Sequence, residues 1–85
     1  MSEDIMHLFS EAISRALRPW SVSEKEEVLR KVSGVLKQLG EGKISEEDAY
    51  YQLVGIAYEH IVPLSPGDLA RLKELLRKAR VVTVV

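Results

Sequence analysis

The chain has no cysteine and no asparagine, one tryptophan, one phenylalanine and only three prolines in 85 residues. Without cysteine there is no disulfide framework, no thiolate nucleophile and no cysteine-based zinc or iron–sulfur centre. No run of about 18 apolar residues occurs, so the sequence offers no membrane-spanning helix. The formal net charge of −1 gives no overall pull towards nucleic acid or an anionic membrane. Glycine-rich phosphate loops, nucleophile–base pairs at a recognisable spacing and tuned carboxylate pairs are also missing, so no catalytic residue is expected. His7 and His60 stand without a cysteine or a clustered acid pattern, so neither a metal site nor a cofactor is expected. The acidic start Met-Ser-Glu-Asp lacks the basic opening of a secretory signal, and the expectation is a cytoplasmic protein. The polar residues are mostly Glu, Lys and Arg, a composition that leans towards thermophiles.

What is present is helical grammar. Eighty-five residues make one domain, with a thin margin of stability unless something is added to it. With disulfides excluded, oligomerisation is the common remedy. A first helix is expected from about Glu3 to Arg18, with Ser2 as N-cap and Ile5, Phe9, Ala12, Ile13, Ala16 and Leu17 as its buried stripe. Pro19 ends it, because the residue before a proline is disfavoured in helical geometry. Two overlapping capping boxes, Ser21-x-x-Glu24 and Ser23-x-x-Glu26, open a second helix. Its stripe is Val28, Leu29, Val32, Val35, Leu36 and Leu39, and Gly40 is expected to stop it. The third and fourth helices begin alike, at Ile44-Ser45-Glu46-Glu47-Asp48-Ala49 and Leu64-Ser65-Pro66-Gly67-Asp68-Leu69. Each has an apolar N′ residue, a serine cap, an acid at N3 and an apolar N4, and Pro66 sits at N1, where it is best tolerated. The fourth helix runs to about Arg80 and buries Leu69, Leu72, Leu75, Leu76 and Ala79. The fold class predicted is all-α: a compact antiparallel bundle of three to four helices over residues 1–80, with a short extended segment at 81–85.

The stretch from Ile44 to Val62 is apolar on more than one side. Ala49, Leu53, Ile56 and His60 form one line, with Tyr50 and Ala57 beside it. Tyr51, Val54, Tyr58, Ile61 and Val62 form a second ridge, which leaves only Gln52, Gly55 and Glu59 for water. A helix of this kind needs cover from two directions. The chain then ends Val81-Val82-Thr83-Val84-Val85, β-branched throughout and suited to a strand. A lone strand is not stable in water, and the same tail of a second copy is the simplest partner. The expected function is a small non-enzymatic interaction module that self-associates, with a homodimer interface of Tyr51, Val54, Tyr58, Ile61, Val62, Val82 and Val84. A different protein partner fits the same surface.

Charge supports an alternative. Residues 1–62 hold seven Lys/Arg against eleven Asp/Glu, a balance of −4, whereas residues 63–85 hold five against two, a balance of +3. Arg71, Lys73, Arg77, Lys78 and Arg80 face only Glu74 within the fourth helix, so a nucleic-acid-binding regulator would use this helix. A helix-turn-helix built from the second and third helices would instead bring Glu46, Glu47 and Asp48 against phosphates, charges of the wrong sign. The loop Gly40–Asp48 resembles the second half of an EF-hand calcium loop, with Gly42, Ile44 and Asp48 in register. Lys37 and Leu39 would occupy the first and third ligand positions and cannot bind calcium.

Overall fold

The computed structural model of the protein describes the backbone of residues 2–81 and the side chains of residues 5–79. Four helices account for most of it: α1 (Ser2–Arg15), α2 (Val22–Gly40), α3 (Glu46–His60) and α4 (Pro66–Val81). No strand occurs among the described residues, and the all-α bundle is the fold. Each helix packs on the next in the chain, and α4 closes the ring by packing on α1. The helices α2 and α4 also touch across the middle. No described helix is long and apolar enough to cross a membrane.

The core follows the 3–4 periodicity of each helix. Helix α1 gives Ile5, Leu8, Phe9, Ala12 and Ile13; α2 gives Val28, Val32, Val35 and Leu39. Ala49, Leu53, Ile56 and Ala57 come from α3, Val62 from the loop after it, and Leu72, Leu75 and Leu76 from α4. No polar or charged residue is buried among those described. Phe9 is the largest side chain with no exposure, so α1 is anchored by one aromatic ring.

Capping explains most of the helix boundaries. The Ser21, Ser45 and Ser65 hydroxyls accept from the backbone N–H groups of Glu24, Asp48 and Asp68 at 3.1, 3.0 and 3.1 Å. At the start of α4 the box is reciprocal, since the Ser65 N–H donates to the Asp68 carboxylate at 3.0 Å. That bond, above all, holds the Asp68 carboxyl below its ordinary pKa, helped by the Ser65 hydroxyl and by Arg15.

Several boundaries differ from the sequence reading, among them the end of α3, which stops at His60 and leaves Ile61 and Val62 of the expected ridge beyond it. Helix α1 stops at Arg15 rather than Arg18, and Leu17, expected in the buried stripe, is fully exposed. Pro19 constrains only the residue before it, whereas Arg18 leaves the helix to make contacts elsewhere in the fold. Helix α2 runs through Gly40 instead of stopping before it, and the closing turn falls at Gly42. There the Lys43 N–H donates to the Gln38 carbonyl at 2.9 Å and the Gly42 N–H to that of Leu39 at 3.1 Å. This Schellman closure needs a left-handed residue, and Gly42 takes φ 75°. Finally, α4 includes Val81, one residue into the segment expected to be extended. Residues 82–85, with the expected interface valines Val82 and Val84, lie outside the described residues.

Candidate functional site

Helix α3 is covered by α2 on one side and α4 on the other. Its first line meets the core, but its second ridge does not. Tyr51, Tyr58 and Ile61 are exposed by 64, 82 and 72%. Val54 is half-buried against the core, and Val62 is buried within it. Tyr51 and Tyr58 lie seven residues apart on one face, about 10 Å along the axis. Gly55 falls between them, with open space around its Cα.

At the C-terminal end of this ridge the surface hollows into an apolar groove of about 390 Å³. Val54, Ala57, Tyr58 and Ile61 form its α3 side. Val62, Pro63 and Leu64 of the loop and Leu69 of α4 form the other. The loop residues Pro63 and Leu64, and Leu69, are not in the ridge read from the sequence. Leu64 and Leu69 occupy the two positions of a hydrophobic staple, which could have pointed to them.

The groove owes its shape to the end of α3. The Val62 N–H donates to the Ala57 carbonyl at 2.8 Å and the Ile61 N–H to that of Tyr58 at 3.3 Å. This is the same closure that glycine serves in α2, but here the left-handed residue is Ile61, with φ 56° and ψ 49°. A β-branched side chain there is disfavoured by about 1–2 kcal/mol.

Behind the groove a polar clamp fixes the same helix end. Arg18 donates to the His60 carbonyl at 3.1 Å, lies 4.0 Å over the Trp20 ring and pairs with Glu24 at 3.4 Å. Its guanidinium, as hydrogen-bond donor, holds the Glu24 carboxyl below its usual pKa. Lys31 reaches His60 Nε2 at 3.0 Å and Glu59 at 3.4 Å. His60 is thereby engaged in holding the end of α3.

At the other end of the ridge Tyr51 stacks edge-to-face on Tyr50 (centroids 5.6 Å apart), and Lys73 lies 5.0 Å from the Tyr50 ring. A smaller cleft of about 270 Å³ runs there between Glu46, Glu47, Lys73 and Arg77. Of the basic residues of α4, Arg71, Lys73, Arg77 and Lys78 are exposed, and Arg80's side chain is outside the described residues. They do not form one stripe: Arg71 sits beside His7, Glu11 and Asp68, and Lys73 and Arg77 beside α3's acids. Among the described residues no three His, Asp or Glu side chains cluster as metal ligands. Compared with known proteins, the chain matches no family model, no curated protein and no solved structure.

Proposed function

We propose that this chain is a small non-enzymatic interaction module that self-associates as a homodimer through the exposed ridge of α3, with Val82 and Val84 contributing. The observation that carries this reading is Ile61. A glycine would close α3 without strain, yet an isoleucine stands there with 72% of its surface exposed. Its side chain does little for the core of its own subunit, and strain of this kind gathers where a surface is used. Tyr58 beside it is a flat, amphipathic anchor of the type enriched in interfaces. The groove between them and Leu69 is apolar and open to a partner.

The test is mass by light scattering at micromolar concentration. The full chain is expected at twice the 9.6 kDa of one copy, and Tyr58→Asp at the mass of one copy with its helical circular dichroism intact. A full-length monomer rejects the reading.

One observation favours a second reading, a nucleic-acid-binding regulator acting through α4: Arg71, Arg77 and Lys78 are exposed and make no ion pair among the described residues. Phosphate binding would weaken steeply with salt, because each neutralised phosphate releases counterions. Arg77→Glu combined with Lys78→Glu should then abolish a low-salt mobility shift. No shift at low salt ends this alternative.

A further inference from the structure

We infer that the occupant of the apolar groove is the segment 82–84 of a second copy, each protomer lending its C-terminal valines to the other. This rests on the self-association proposed above and specifies which surfaces meet. In an extended segment Val82 and Val84 point to one side and Thr83 to the other, so two apolar groups can enter a groove while the hydroxyl stays in water. The groove offers apolar walls from Val54, Tyr58, Ile61, Leu64 and Leu69.

Chain length limits how far one copy's own valines can reach towards it. The groove meets α4 at Leu69, near the start of that helix, and α4 continues to Val81. Those twelve residues cover about 18 Å at the helical rise of about 1.5 Å per residue. Val84, three residues beyond Val81, reaches back at most about 11 Å even when fully extended. The groove and Val81 therefore lie towards opposite ends of one helix, and Val84 of the same chain cannot return as far as Leu69. A two-fold axis that sets two copies of α4 in opposite directions brings each groove to the other copy's valines in a single, closed arrangement. The ridge of α3 flanks the groove and is covered in the same contact.

The chain's lack of cysteine makes the test direct, since one introduced thiol is the only one. Chains carrying Pro63→Cys, at the exposed rim of the groove, are mixed with chains carrying Val84→Cys and mildly oxidised. The expected product is the mixed disulfide between the two variants, in preference to either like pair. In the otherwise unaltered chain, Val82→Asp with Val84→Asp should raise the dimer dissociation constant at least about tenfold. A stable dimer whose Val84→Cys chains link only to each other means that tails pair with tails, and the inference fails while self-association stands. A stable dimer with no mixed disulfide, or one indifferent to the double aspartate variant, overturns it equally. A full-length chain that is monomeric removes the self-association reading and this inference together.

Discussion

Ile61 and Gly42 do the same backbone task at the ends of successive helices, and comparing them isolates what a side chain costs there. Gly42→Ala forces a Cβ into left-handed geometry and is expected to destabilise the fold by about 1 kcal/mol. Ile61→Gly should do the reverse, raising stability by up to about 1 kcal/mol in chemical denaturation, while weakening self-association. A variant that is less stable and equally associated would contradict the role given to Ile61. Gly40 differs from both, because it lies inside α2 with nothing within 4 Å of the place an added methyl group would take, and Gly40→Ala should stabilise by about 0.5–1 kcal/mol. Asp68 carries a pH signature. Its folded pKa lies below the ordinary value, so its contribution is complete above the usual carboxylate range and is lost as the pH falls through the folded pKa. The stability gap between the natural chain and Asp68→Asn should therefore be open at neutral pH and close in acid, as urea titrations at several pH values would reveal.

At the scale of elements, the four helices were legible because each signal is local. Serine caps, acids at N3 and the 3–4 spacing of valines and leucines act within a turn or two, and α2 to α4 begin where those signals put them. What was not legible depends on distant contacts. Nothing near Ala16 and Leu17 announces that Arg18 will leave its helix to bind the His60 carbonyl, 42 positions away. Gly40 and Gly42 are equivalent in composition, and only the Schellman hydrogen bonds decide which of them closes α2. The second ridge of α3 was readable as a pattern, but not the division within it: Val62 joins the core while Tyr51, Tyr58 and Ile61 stay outside. The groove needed the loop and Leu69 to be brought together in space. Gly55 gives a test at this scale. Gly55→Ala adds helix propensity on an exposed face and should raise the melting temperature by a few degrees, corresponding to about 0.5–1 kcal/mol.

Across the whole molecule, one core built from all four helices has to hold a chain of 85 residues together without disulfides. Its margin is correspondingly small, so Phe9→Ala, at a cost of about 3–5 kcal/mol, is expected to remove most of the cooperative thermal transition. Covering Tyr58, Ile61 and the groove would add apolar burial that one subunit does not achieve, and would link stability to concentration. That linkage is measurable. The most direct test of the account is sedimentation velocity of the full-length chain over a micromolar dilution series. It should show a species of twice 9.6 kDa that dissociates on dilution, and Tyr58→Asp should remove that species at every concentration. A single 9.6 kDa boundary throughout the series would contradict the account.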